Sequence, residues 1–591
     1  MKSLKTLFTA AALATAFALT ATAADKIVLK RGNGAEPDTL DPQKATGSWE
    51  NNIIGDMIVG LMTDDAKGEP IPGMAESYTV SEDGLVWTFK LRADANWSDG
   101  VPVTAGDFVF AFQRINDPMT GGQYATITHI IKNAAKVYAK ELPPDQIGAR
   151  AIDDKTLELT LEHPASYLPA MLLHYAFFPV PRHAVEKYGD DWVKPGNYVS
   201  NGAFTLVSWS PNDKVVVAKN PGFYDAANVG IDEVQYFSQD DQIANTKRFR
   251  AGELDLSAGI PGQLIDELRS TMPDKVRLSP VITNWFVTFN LTRPEWQDVR
   301  IRTALGLAID RETIAFRILK GGETPAYTFV HPDIPGYPHK AKLSYADMPM
   351  AERQKKAREL LAEAGFGPGN PLRFEFLHPQ STDGKRIATA LQGMWKAVGV
   401  EMTPAGSESK TVYANLRQQN FGVALSGWIA DFPDASSYLY LAKTSSADMN
   451  YGKYSNAAFD QLNIDADNEP DAAKRGELLD RAEQILLDDA PFLPIYNAVS
   501  RYLVEPYVTG FEGSLSNVHR TRWMAIDPAA KAAMGAATPR SGSQTADASG
   551  QTGIVPSQAD KSSLLLWWLL GGGSLLLFAG AIIARLRRRS S

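Results

Sequence analysis

The sequence predicts an α/β protein, with a body of two or three lobes preceded by a secretory signal peptide and followed by one C-terminal transmembrane helix. Three observations carry this expectation. Alternating strand patterns and helical periodicities take turns through the middle of the chain. Near the start, Lys2 and Lys5 precede a short apolar run, Leu7 to Leu19, and the small-residue site Ala21-Thr22-Ala23. Near the end, Leu564 to Ala584 forms an uncharged apolar run, about the length a spanning helix needs.

The N-terminal run is too short to span a bilayer, so residues 1–23 read as a cleaved signal peptide. Residues 528–563, rich in Ala, Gly, Ser, Thr and Pro, read as a flexible linker. Trp567 and Trp568 lie in the predicted 564–584 span, and the basic tail 585–591 follows it. Its arginines belong on the cytoplasmic side, which puts the body outside and tethered to the cytoplasmic membrane. A processed tail is the alternative, because Gly571–Gly573 and the arginine cluster also resemble a C-terminal sorting signal.

Between these ends, 591 residues with 44% hydrophobic and 10% aromatic content allow more than one core. The net charge of -9, without a basic stripe along the body, argues against a nucleic-acid partner. There is no cysteine, hence no disulfide, thiolate metal site or cysteine nucleophile.

The elements follow from local pattern. In residues 85–92 Trp87, Phe89 and Leu91 alternate with Thr88, Lys90 and Arg92, which predicts a half-buried strand. Thr104 and Asp107 then form a capping-box pair before a helix carrying Phe108, Phe112 and Ile115 on one face. Asp298 caps a helix with Ile301, Leu305, Ala308 and Ile309 inward. A charged amphipathic helix ends at Gly365, and the alternating segment Leu372–His378 reads as a strand. Residues 471–490 make another amphipathic helix, with Glu477 and Arg481 at i,i+4, stopped by Pro491.

Catalytic signatures are missing. Gly32-Asn33-Gly34 begins like a dinucleotide loop but meets Pro37, so it reads as a Gly/Pro loop. Neither G-x-S-x-G, nor G-x-x-x-x-G-K-[ST], nor H-E-x-x-H occurs, and the 8 histidines lack metal-ligand spacing. No catalytic residue, metal or cofactor is expected. Asp431 is the unusual residue, because it stands in the apolar run Trp428, Ile429, Ala430, Phe432. A buried carboxylate needs a partner, so Asp431 faces water, caps a helix, or awaits a cation from outside. Asp434 fits the cap better, standing immediately before "ASSYLYL".

Residues 72–118, "PGMAESYTVSEDGLVWTFKLRADANWSDGVPVTAGDFVFAFQRINDP", together with "EPDTLDPQKATG", "VSNGAFTLVSWSPNDKVVVAKNPGFYD", "DVRIRTALGLAIDRETI", "ARELLAEAGF" and "GWIADFPDASSYL", resemble the extracytoplasmic solute-binding proteins of family 5. These are the ligand-binding components of ABC importers, and the likeness is to the oligopeptide-binding branch. It runs from about Leu29 to Ile526. The resemblance implies a three-lobed periplasmic-binding fold that closes about a hinge over its ligand. It places lobe I at 25–59, 184–284 and 500–527, lobe II at 60–183 and lobe III at 285–499, with crossover strands near 282–290 and 495–503.

The resemblance further implies that Asp431 receives a peptide's α-ammonium, flanked by Gly427, Trp428 and Ile429, whose backbone pairs with the peptide as an added strand. Tyr124 and Trp395 match positions lining the cleft, and Arg417 matches an arginine that meets a short peptide's carboxylate. Leu425, Gly384, Thr46 and Thr288 differ from charged or histidine side chains found there in some members. The expected partners are a peptide and ABC permease subunits, and the protein is expected to be a monomer. Alternatives are a non-peptide solute such as an oligosaccharide, or a membrane-tethered sensor or chaperone-like module.

Overall fold

A computed structural model describes residues 26–446 and 449–537. The predicted signal peptide 1–23, the predicted membrane span 564–584 and the basic tail 585–591 lie outside the described residues, as does the linker beyond residue 537.

Two four-stranded sheets occupy the first half. In one, Val28–Gly34 runs parallel to Glu233–Ser238, which continues antiparallel through Lys214–Lys219 to Phe204–Ser210. The other is antiparallel throughout, in the order Ala75–Val80, Val86–Leu91, Thr156–Thr160, Ala149–Asp153. Val86–Leu91 buries Trp87, Phe89 and Leu91, as its alternation requires. The helix Ala105–Ile115 opens on its capping box, with the Thr104 N–H donating to Asp107 Oδ2 at 2.8 Å.

A six-stranded sheet organises the second half, in the order Thr324–Pro325, Phe492–Leu503, Val276–Phe289, Val423–Ile429, Arg373–Pro379, Glu401–Ser407. Helices pack around it. Asp298 caps Val299–Leu307 through the Arg300 N–H at 2.9 Å, and Asp471 caps Ala472–Asp489 through the Lys474 N–H at 2.9 Å. The helix Met350–Glu363 is ended by Gly365, whose φ of +90° is the left-handed conformation that favours glycine.

Burial divides the body into two large cores. One gathers side chains between Leu29 and Leu256 and a returning C-terminal stretch from Val504 to Ile526, thereby running through both segments expected as lobes I and II. The other is drawn from Ile282 to Tyr496. The segments expected as crossovers, 282–290 and 495–503, fall largely in Val276–Phe289 and Phe492–Leu503, which pair antiparallel and extend from one core toward the other. Their register slips between Pro280↔Val499 and Asn284↔Asn497, so residues 281–283 stand opposite Ala498 alone.

Two expectations change. The fold class included a C-terminal transmembrane helix, and that part is corrected: among the described residues no helix is long and apolar enough to cross a membrane. The longest described helix, Ala472–Asp489, has 18 residues with charges on its outer face, which suits a globular surface. The linker was expected to start at 528, but Pro528–Ala537 is helical. Its first turn is held by the Ala529 and Ala530 N–H groups, which donate to Asp527 Oδ1 at 2.9 and 3.1 Å. Alanine's high helix propensity outweighs the lack of an apolar periodicity there.

Candidate functional site

The site begins at the end of Val423–Ile429. This strand pairs antiparallel with Val276–Phe289, setting Ile429 opposite Thr283, Trp428 opposite Asn284 and Gly427 opposite Trp285. The Ala430 N–H donates to the Ile282 carbonyl at 3.0 Å. Because an antiparallel ladder alternates its bonding direction, Gly427 and Ile429 turn their N–H and C=O groups to the opposite edge. Arg373–Pro379 pairs along that edge only as far as Ala424. At Gly427 the Tyr413 hydroxyl donates to the carbonyl at 3.2 Å and accepts from the N–H at 3.4 Å. A Cβ at Gly427 would lie 2.9 Å from the Trp285 ring, so close packing requires glycine.

Beyond the strand the chain turns sharply. The Asp431 N–H donates to Ser437 Oγ at 3.1 Å, and Asp434 caps Ala435–Leu439 by accepting from the Ser436 N–H at 2.9 Å. The two aspartates therefore do different work. Asp434 is also gripped by Arg475 through two hydrogen bonds of 2.8 Å, and this ion pair and these hydrogen bonds hold its carboxyl below the usual range despite burial. Asp431 has no such help: no hydrogen bond reaches its carboxylate among the described residues, and burial pushes its pKa up to about 7.

Asp431 lines two adjoining cavities, of about 230 and 170 Å³, which share it and Tyr124. The larger is bounded by Tyr167, Met171, Trp428 and Phe432, and the smaller by His174, Thr283, Ile429 and Arg520. Tyr124 lies against His174 and Tyr175, with ring centroids 4.9 and 6.0 Å away. Burial, then the facing Asp431 carboxylate, raises the Tyr124 pKa and keeps its hydroxyl protonated. His174 Nδ1 accepts the Ala176 N–H at 3.2 Å, which leaves the proton on Nε2. Burial and the positive charge of Arg520 hold His174 down to about 3, so it is neutral.

Four of the residues singled out in the sequence thus meet at or beside one cleft: Asp431 and Tyr124 on both cavities, Trp428 on the larger and Ile429, 56% exposed, on the smaller. Gly427 lies behind them in the strand. Trp395 does not line either cavity. It is fully buried in the second core, its Nε1 donates to the Leu305 carbonyl at 3.0 Å, and its ring meets Phe376 edge-on. Its helix buries Ile387, Ala388, Leu391 and Trp395, a helical spacing that already marked a core face. Arg417 is exposed at the end of Ser409–Arg417, close enough to Tyr451 to hydrogen-bond its hydroxyl, and outside both cavities. Tyr167, His174 and Arg520 carried no signal in the sequence, because distant segments deliver them.

The family model for bacterial extracellular solute-binding proteins, family 5 (middle), matches residues 69–450. The chain is 38% identical over 505 residues to the periplasmic oligopeptide-binding protein OppA of Salmonella typhimurium, covering 84% of this chain and 92% of that one. It is also 38% identical over 488 residues to the probable deoxycholate-binding periplasmic protein YgiS of Escherichia coli, covering 82% and 90%. Among solved structures, Haemophilus influenzae OppA in complex with RPPGFSPFR superposes with a TM-score of 0.78 at 33% identity, over 85% of this chain and 99% of that one. Agreement of the family model with residues 69–450, of near-full-length relatives and of the fold leads to one conclusion: the chain belongs to the bacterial extracellular solute-binding proteins of family 5.

Proposed function

We propose that this protein is the extracytoplasmic peptide-binding component of an ABC importer, which encloses an oligopeptide between its halves and delivers it to permease subunits. The observation that carries the reading is Asp431, a carboxylate in a cleft that no hydrogen bond reaches among the described residues, held up to about 7 by burial. A peptide's α-ammonium, with a reference pKa of about 7.7–8.0, is the cation that completes it. The periplasmic oligopeptide-binding relatives support both the ligand class and the extracytoplasmic location.

Tyr124, Trp428 and Ile429 surround the ammonium end, and the outward N–H and C=O of Ile429 offer the peptide a strand edge. Lobe I (25–59, 184–284, 500–527) and lobe II (60–183) move as one side and lobe III (285–499) as the other. The slipped register at 281–283 in the paired crossover strands gives the hinge a place to bend. The protein acts as a monomer. Arg417 and Trp395 receive no ligand contact in this reading.

The name of one relative raises an anionic steroid as a second ligand. Charge disfavours it here, because an anion would meet Asp431 while Lys443 and Arg520, which line the cavities, are already paired with Asp467 at 2.9 Å and Asp64 at 3.1 Å.

Calorimetry with tri-alanine and N-acetyl-tri-alanine tests the proposal. Acetylation removes the ammonium, and the expected loss is about a hundredfold in affinity, from the cost of an unpaired buried charge. Equal affinities would sink it. The pH dependence has a definite sign: an ammonium binds the ionised carboxylate, so below about 7 binding must release a proton from Asp431. Tri-alanine affinity is therefore expected to fall as pH drops from 7 to 5, approaching about tenfold per unit. A flat profile over that interval would contradict the assignment.

A further inference from the structure

Phe432, next to the proposed anchor, belongs to the wrong core for its place in the chain. Among the described residues it is the only buried member of the first core contributed by residues 257–503. Its ring stacks on Tyr167 at 5.4 Å between centroids and an interplanar angle of 4°. Tyr167 stands at the start of Leu168–Met171 in the first half. The Arg475 guanidinium lies over the Tyr167 ring, 4.4 Å from its centroid. Arg475 comes from Ala472–Asp489 in the second half and is oriented by its two 2.8 Å bonds to Asp434.

We infer that Tyr167, Phe432 and Arg475 form a clasp that holds the two halves closed, assembled by the same four-residue turn, 431–434, that carries the proposed ammonium anchor. The inference rests on the closure reading above and adds the side chains that enforce it. The geometry favours this role over simple packing. The Tyr167 ring meets both a parallel ring and a planar cation, each an attractive arrangement for an aromatic side chain. Asp434 holds the guanidinium bidentately, so the cation is preorganised before Tyr167 meets it. The anchor and the clasp share one rigid turn, pinned by the Asp431 N–H on Ser437 Oγ and by the Asp434 cap. A ligand that draws Asp431 into place therefore also sets Phe432 and, through Asp434, Arg475. Tyr167 and Arg475 are positioning residues here; Tyr167 also lines the larger cavity, so its test needs a readout other than affinity.

The chain supplies one. Lys410 and Asp38 form an exposed pair with Nζ and Oδ2 3.3 Å apart, joining the second half to the first. Exposed pairs of this kind contribute little, so both residues are replaceable. With no native cysteine, the Asp38→Cys, Lys410→Cys variant of the full chain accepts nitroxide labels at those two positions alone. Dipolar broadening of the continuous-wave spectrum for short distances, with pulsed electron–electron double resonance for long ones, then reads the separation across the cleft, without ligand and with saturating tri-alanine.

With peptide, the labelled parent is expected to give a dominant short distance. Tyr167→Leu, which keeps bulk but loses the ring that meets Phe432 and Arg475, is expected to lower the ratio of short to long distances about tenfold. Tyr167→Phe, which keeps the ring, should match the parent. Matching short-distance fractions in Tyr167→Leu and the parent would overturn the clasp, as would a parent that stays at long distance in both conditions. Thermal unfolding of each variant checks that it folds. Calorimetry on the same samples separates the two readings: tri-alanine heat absent from the parent overturns the functional reading, whereas binding with distances unaffected by Tyr167→Leu overturns only the clasp.

Discussion

Replacing Asp431 by asparagine is expected to lower tri-alanine affinity by about 2–5 kcal/mol, the cost of truncating one partner of a buried charged pair. That is about thirtyfold to several thousandfold in Kd. The amide has the same shape, so the cavities keep their walls and only the charge is lost. The ligand-free protein should respond in the opposite sense. A carboxyl raised by burial from 3.8 to about 7 binds more protons folded than unfolded between those values. Its contribution to stability is therefore unfavourable and grows as pH rises through that window, levelling off above about 7. Asparagine does not titrate, so the ligand-free variant is expected to unfold at a higher temperature than the parent at pH 8 and to lose that advantage at pH 4. Weaker binding with greater stability identifies a residue kept for a ligand. Unchanged affinity, or a variant less stable at pH 8, would show that Asp431 serves the fold.

Arg520→Met is expected to destabilise the body by about 3–5 kcal/mol, seen as a lower denaturant midpoint. Arg520 comes from the returning C-terminal stretch and is 4% exposed. It donates to Asp64 Oδ1 at 3.1 Å, to the Asn51 carbonyl at 2.7 Å and to Asn51 Oδ1 at 3.2 Å. Gly55 makes room for it, since a Cβ there would lie 1.8 Å from the guanidinium. Methionine fills much of the same volume but leaves Asp64, itself buried, without its cation. Adding Asp64→Leu removes the stranded carboxylate, and the double variant should recover much of the loss. A double variant no more stable than Arg520→Met would place the cost in lost packing instead.

These two expectations differ in how far the sequence foresaw them. The Asp431 variant could be named from the run "GWIADFPDASSYL" and its family resemblance; the Arg520 variant could not. The distinction follows from range. Caps and strand faces depend on neighbours within a few residues, so Thr104 with Asp107, Asp298, Asp434 and Gly365 are legible as sequence and recur in the structure. Alternation likewise placed Trp87, Phe89 and Leu91 inward. Local composition misled after Asp527, where the Ala-rich stretch begins as a helix; for Trp395 the local spacing points to the core, where the residue lies, and the cleft position came from the resemblance alone.

What no local pattern contains is which distant segments meet. Pairing of Val276–Phe289 with both Val423–Ile429 and Phe492–Leu503 puts the 431–434 turn beside the junction of the two cores. Only that arrangement brings Tyr124, Tyr167 and His174 to Asp431, and returns Arg520 to Asp64 across most of the chain. Local patterning along the chain suffices for an α/β body, for most of its helix starts, and for an aspartate whose surroundings are too apolar for its charge. That this aspartate faces a cleft where no hydrogen bond reaches its carboxylate among the described residues follows only from the three-dimensional packing, because desolvation is a property of everything packed around a group rather than of the residues beside it in the chain.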